Sequence, residues 1–325
     1  MTRNWKRAIS TFSLPALTLA VGILASAQEA TSPKASIAHN TWSSGAPLPI
    51  PTAPAVAVLG NRIYAVGGSA AAGEIANSQI YDPATDSWTT GTPVPVAVGA
   101  GCSAVVRGVL YYIGGSNGSG WTAVWAYQPG TKAWYSKAFM PTPRVNGGCA
   151  VADDIIYVFG GYSYGSFLTS VESYNPATDI WTEQTAMLSP EAGLPGLGRI
   201  GTTIVVTDGS GGDVDGHNQG YEVTTNTWSS LASDPTLRQD PCAASIDERL
   251  YSAGGWNPAD NPALTLTESY SLSKNEWTGG LAPMPLGTLG GGSVAYKGKL
   301  YCFGGFSSNS TSGSSPLNNL QIYQP

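Results

Sequence analysis

The sequence predicts an all-β propeller of six blades with four antiparallel strands per blade, and three observations carry that prediction. The pair Tyr-x6-Trp recurs at Tyr81/Trp88, Tyr127/Trp134, Tyr174/Trp181, Tyr221/Trp228 and Tyr270/Trp277, so the chain is an array of one unit. From Trp42 onward these tryptophans are spaced by 46, 46, 47, 47 and 49 residues, room for four short strands and their turns. Within each unit an apolar run ends in two glycines, at Gly67-Gly68, Gly114-Gly115, Gly160-Gly161, Gly254-Gly255 and Gly304-Gly305, with Asp208-Gly209 in the fourth unit.

Local chemistry assigns each element. In the first unit residues 55–59 form a short apolar strand, Gly60-Asn61 is a two-residue turn, and residues 62–68 return antiparallel, because so short a turn joins only hairpin partners. Arg107-Gly108, Asp153-Asp154, Gly201-Thr202, Asp247-Glu248 and Lys297-Gly298 repeat the device. A longer loop leads to a third strand at residues 78–82, Pro83 presets φ for the next turn, and Trp88 opens the fourth strand. The glycine pair is expected to admit the tyrosine and tryptophan of its own unit close to the backbone. Tyr323 has no tryptophan after it and Trp42 no tyrosine before it. The strand around Trp42 should therefore complete the blade that ends at Tyr323 and close the ring.

These residues resemble the kelch repeat over Trp42 to Tyr323, and the resemblance implies a propeller whose repeat-invariant aromatics pack rather than react. It also brings galactose oxidase, a copper radical enzyme of the same superfamily with two histidine ligands. Only His39 and His217 exist in this chain, so a copper site is not expected, nor is any other cofactor. The periplasmic sialic-acid mutarotases, six-bladed kelch proteins, offer an enzymatic alternative.

Residues 1–27 carry Arg3, Lys6 and Arg7, an uncharged run from Phe12 to Leu24, and Ala25-Ser26-Ala27. This reads as a cleavable signal peptide, too short and too interrupted for a membrane span, with residues 28–38 as a flexible linker and 39–325 as the propeller. The expected location is secreted or periplasmic, and the expected state monomeric. Removing the leader leaves 12 basic against 21 acidic residues, which excludes the basic stripe that nucleic-acid binding requires.

Strand direction puts the loops between second and third strands, and the linkers between blades, on one face. Binding residues concentrate on such loops. Aligned linkers place Arg144 and Arg238 in one slot, with Asp240 two residues beyond Arg238 and Glu191 beside the fourth-blade slot. Two readings stand: the arginines fork onto an anionic ligand at the channel mouth, or they tie the scaffold together. If the protein is an enzyme, Glu191 or Asp240 is the acid or base and Arg144 and Arg238 hold the substrate. Tyr162, Trp256 and Phe306 follow their diglycines and either stack on a sugar ring or cover the core. Asp213, Asp215 and His217 in the fourth-blade loop partly resemble a calcium loop without its terminal glutamate, so the same loop also reads as plain solvated chain. The primary expectation is a binding protein for a glycan or protein ligand; the alternative is a sugar mutarotase or epimerase. Cys102 and Cys242 share a first-strand position, Cys149 is one residue out of phase and Cys302 is on a second strand. With packed sheets about 10 Å apart, four free thiols are expected.

Overall fold

Short apolar strands joined by two-residue turns must pair with their neighbours, and the computed structural model, which describes residues 39–116, 122–190, 195–209, 217–257, 263–308 and 315–325, shows the result. The expected leader and linker lie outside the described residues. Six four-stranded antiparallel blades form. Their inner strands are Ala53–Leu59, Cys102–Val106, Gly148–Ala152, Gly196–Ile200, Cys242–Ile246 and Gly292–Tyr296. Blade six takes Thr41–Gly45 as its outer strand, with Trp42 opposite Tyr323. Two of the expected loops contain structure: Gly73–Glu74 adds to the second strand of blade one, and Tyr162–Ser163 pairs with Ser166–Phe167 in blade three.

The repeated aromatics explain why blades stay together. Each tyrosine is buried and faces its tryptophan at 5.0–5.4 Å between ring centroids. Each indole Nε1 then donates across to the segment following the preceding blade's outer strand: Trp88 to Ala46, Trp134 to Thr92, Trp181 to Ala138, Trp228 to Thr185, Trp277 to Ala232 and Trp42 to Ala282, at 2.8–3.0 Å. Two residues before the tryptophan stands Asp86, Asp179, Asn226, Asn275 or Asn40, in the left-handed region that Asp and Asn tolerate. Its side-chain oxygen accepts the tyrosine hydroxyl and the backbone N–H of the residue whose carbonyl holds the indole. Blade two carries Lys132 at this place.

The glycine pairs have a different neighbour from the one expected. A Cβ on Gly115, Gly161, Gly255 or Gly305 would lie 2.4–2.7 Å from a carbonyl oxygen of the blade's own incoming linker, and one on Gly68 2.4 Å from that of Ala53 at the start of the inner strand, not from an aromatic ring; each of these glycines has φ between 85° and 106°. Among them, Gly68, Gly115, Gly255 and Gly305 also donate their N–H to a linker carbonyl, those of Val98, Arg144, Thr288 and Thr52. The diglycine is thus a backbone-to-backbone seam.

The free-thiol expectation is overturned: Cys102 bonds Cys149 and Cys242 bonds Cys302, each pair with Cα atoms 5.7 Å apart. Two physical reasons apply. Blades radiate from the axis, so inner strands of neighbours converge well inside the usual sheet spacing. The phase mismatch is also what a bridge between blades needs. Cys102 lies on the face of blade two that packs on blade three, with Ala104 and Val106; Cys149, shifted by one, lies on the facing side of blade three. Cys302 pairs across its strands with Ser293, which occupies the slot equivalent to Cys149.

Two expected outcomes follow from this packing. Trp42→Ala removes a half-buried indole and its bond to Ala282, and should cost about 2–4 kcal/mol, somewhat below a fully buried tryptophan, read as a lowered midpoint in urea. Alkylation of denatured, unreduced protein should label none of the four cysteines, and peptide mapping should return the two pairs above. Reduction removes two cross-links over 47 and 60 residues, each stabilising by up to about 4 kcal/mol.

Candidate functional site at the channel mouth

The linkers enter the inner strands through a tight backbone reversal, and this shapes the mouth. Ala100, Asn146, Asp240 and Gly290 each lie two residues before an inner strand with φ of 56°, 55°, 54° and 64°. Neighbours in this rim are joined, Asn146 N to Ala100 O at 2.8 Å and Gly290 N to Asp240 O at 2.9 Å. Inside the rim is a cavity of about 410 Å³. Its polar side chains are Ser69, Ser103, Asn146, Asp240 and Ser293, its one aromatic is Phe306, and the rest is glycine backbone, the Cys102–Cys149 disulfide and apolar side chains such as Pro54, Val56, Pro195, Leu197 and Pro241. Asp240 is the only ionisable side chain among the described lining residues. Below it the channel continues into a second space of about 330 Å³ lined by apolar residues such as Val58, Val105, Val151, Leu197 and Val294 together with Ser103, Ser245, Ser293 and Arg199.

Arg144 and Arg238 sit in equivalent places as predicted, but the structure commits both to the scaffold. Arg144 is 1% exposed; its guanidinium donates to Gly160 O (2.6 Å), Ser170 O (3.1 Å), Ser170 Oγ (3.0 Å) and Glu172 (2.8 Å). Burial lowers its pKa from the ordinary value and Glu172 opposes that shift. Arg238 is 0% exposed and donates to Gly254 O, Leu266 O and Glu268. The slot is explained by its partner. Two residues before the blade tyrosine stand Glu172 and Glu268 in the arginine blades, but Gln79, Gln219 and Gln321 in blades one, four and six. Each of those glutamine side chains accepts directly from a linker N–H, of Ile50, Leu188 and Leu286. A carboxylate appears where a buried guanidinium needs one and an amide where it does not.

The other expected site residues divide. Asp240 and Phe306 meet at the cavity. Tyr162 and Trp256 are half-buried, bridge Val145 and Gln239 through their backbones, and do not line it; Tyr162 packs on Phe167 at 5.3 Å. Glu191, Asp213 and Asp215 lie outside the described residues. His217 directly precedes the third strand of blade four, Asn218–Glu222, its carbonyl accepting from Thr207 Oγ1. Among the described residues no cluster of His, Cys, Asp or Glu could hold a metal ion. Sequence reasoning missed Asn146, whose signal was its alignment with Asp240 two residues before an inner strand.

Removing the arginine alone strands Glu172. Arg144→Ala should therefore cost about 3–5 kcal/mol, the penalty for breaking a buried ion pair. Arg144→Thr combined with Glu172→Gln copies the Thr288/Gln321 pairing of blade six and should recover most of that loss in thermal melting.

The kelch motif model matches residues 52–95, 143–188 and 237–280, which are blades one, three and five. Kelch-like protein 36 of Bos taurus is 28% identical over 169 residues, 48% of this chain and 26% of that protein. Kelch-like protein 23 of Homo sapiens is 31% identical over 107 residues, 33% of this chain and 17% of that protein. N-acetylneuraminate epimerase of Haemophilus influenzae (strain PittEE) is 31% identical over 110 residues, 33% of this chain and 29% of that protein. In each case the matched stretch is less than a third of the relative's length.

Proposed function

The chain belongs to the kelch-repeat β-propellers, and from that premise we propose that it is an exported binding protein that takes the end of an uncharged glycan into the channel mouth. The supporting observation is the lining itself: hydroxyl and amide groups, one carboxylate and one aromatic ring, set among glycine backbone and apolar side chains. Sugar hydroxyls pair with Asn146, Asp240 and the serines, and the apolar face of a ring lies against Phe306. An anionic ligand is disfavoured, because both guanidiniums are buried in the wall against Glu172 and Glu268 and Asp240 is the one ionisable side chain of the cavity lining. The two disulfides agree with export to an oxidising compartment.

A second reading is favoured by the stretch similar to N-acetylneuraminate epimerase. In it Asp240 moves the proton at a sugar's anomeric hydroxyl. That reading must seat a carboxylated sugar without Arg144 or Arg238, which is why it stands second.

Screening the protein against neutral and acidic glycans decides between them. Neutral glycans should bind, with Asp240→Asn and Asn146→Ala each lowering affinity about tenfold or more, the range for a hydrogen bond that involves a charged or buried polar partner. Binding of acidic glycans alone, or wild-type affinity in both variants, would overturn the first reading. Anomer exchange of fresh α-sialic acid that is accelerated by the protein and lost in Asp240→Asn would establish the second.

A further inference from the structure

Among the described residues two blades extend the second strand into a small hairpin on the loop face, one bare and one aromatic. In blade one Ser69 pairs with Glu74 and Ala70 with Gly73; in blade three Tyr162 pairs with Phe167 and Ser163 with Ser166. Both are fastened alike, Ile75 N to Gly68 O at 3.0 Å and Leu168 N to Gly161 O at 2.9 Å. The hairpin therefore forms without aromatic residues. Blade one builds it from serine, alanine, glycine and glutamate, whereas blade three places three rings there, Tyr162, Tyr164 and Phe167.

The tip of the blade-three hairpin is also strained. Tyr164 and Gly165 form its two-residue turn with φ of 46° and 86°, the left-handed pair that Asn-Gly suits best. A bulky residue is uncommon there, and Tyr164 is the only aromatic residue with positive φ among those described. Tyr164 is nonetheless 83% exposed and Phe167 38%. Backbone strain carried by an exposed aromatic points to a role outside folding.

We propose, resting on the glycan reading of the mouth, that this hairpin is a second carbohydrate subsite holding the sugar next to the one in the mouth. The ligand is then a neutral oligosaccharide rather than a free monosaccharide. The hairpin rises from the rim itself. Tyr162 N donates to Val145 O at 2.9 Å and Val145 N to Tyr162 O at 3.0 Å, and the residue after Val145 is Asn146 of the mouth. Six blades in a ring set blade three opposite blade six, so a sugar lying against Phe306 has Asn146 and the hairpin ahead of it. From Tyr162 to Tyr164 the strand advances about 7 Å, room for one further sugar ring.

The surface of the hairpin suits such a ring. Tyr162 and Phe167 lie directly opposite, with ring centroids 5.3 Å apart, and so share one face. Tyr162 Oη stands 4.0 Å from the position a Cβ would take on Gly165, so its ring runs along the hairpin to the turn. Residues 162–170 carry no Asp, Glu, Lys, Arg or His, and the hydroxyls of Tyr162, Tyr164 and Ser166 accompany the aromatic faces. A neutral sugar presents a C–H face and a rim of hydroxyls; the rings take the first and the hydroxyls the second.

Calorimetric titration of the full chain with glucose, galactose, mannose and N-acetylglucosamine, and with the di- and trisaccharides built from each, tests the subsite. In the series that binds, affinity should rise by about fivefold or more from monosaccharide to disaccharide, the range of one stacking contact. Tyr164→Asn and Phe167→Ser should each remove most of that rise, read as the ratio of the two affinities within one variant. Asp240→Asn, by contrast, should weaken every member of the series alike. Tyr164→Asn should melt no lower than the wild type, because asparagine tolerates the left-handed turn. A monosaccharide that binds as tightly as its oligomers, or a ratio unchanged in both hairpin variants, overturns the subsite and leaves the mouth as a glycan site. A wild type that binds none of these sugars overturns both. If Tyr164→Asn melts well below the wild type, Tyr164 belongs to the scaffold and the subsite falls.

Discussion

The hydrogen bond from each outer-strand indole to the carbonyl of the preceding blade is the interaction on which the rest of the propeller depends. At five of the six seams one residue, such as Ala46 or Ala138, gives its carbonyl to tryptophan and its N–H to the Asp or Asn that the tyrosine hydroxyl also reaches. The linker leaving each blade is pinned at that point, and everything inward is set by where it is pinned. The same linker then supplies carbonyls to the diglycine, enters the rim in a left-handed turn, and delivers Asn146 or Asp240 to the mouth. A single unit could not bury its tyrosine; six do so because each closes the next.

Most of this frame was legible because it repeats. Tyr-x6-Trp marked the third and outer strands, the two-residue turns marked the inner hairpins, and the unmatched Trp42 and Tyr323 gave the closure. What escaped was what does not repeat, or repeats as a pair. The disulfides depend on which face of a strand a cysteine occupies, and the out-of-phase Cys149 was read as an obstacle when it is the condition for a bridge. Arg144 and Arg238 were visible as charges on a polar face; their commitment to Glu172 and Glu268 lay in the alternation of glutamate and glutamine two residues before the tyrosine. Charge in a linker says little until its partner is found on the strand below.

The departures in blades four and five show how local compensation works in a repeat. Asp208 alone would place a carboxylate where five blades have glycine, and Asp234 alone would place one at an apolar depth. Ser252 donates to the first and Arg238 Nε lies 3.3 Å from the second, so each exception is met by a polar neighbour on blade five or its linker.

Closure by the N-terminal strand also orders events in time. Thr41–Gly45 emerges early in synthesis, yet its partner is Leu320–Gln324, and Asn40 waits for Tyr323 across 283 residues. Until the last blade is made, five blades stand as an open arc with a lone strand at one end and an unsealed edge at the other. That waiting strand is Thr-Trp-Ser-Ser-Gly, short and mostly polar, with one large apolar side chain. A strand that must wait longest for its partner is thereby kept from pairing with another copy first.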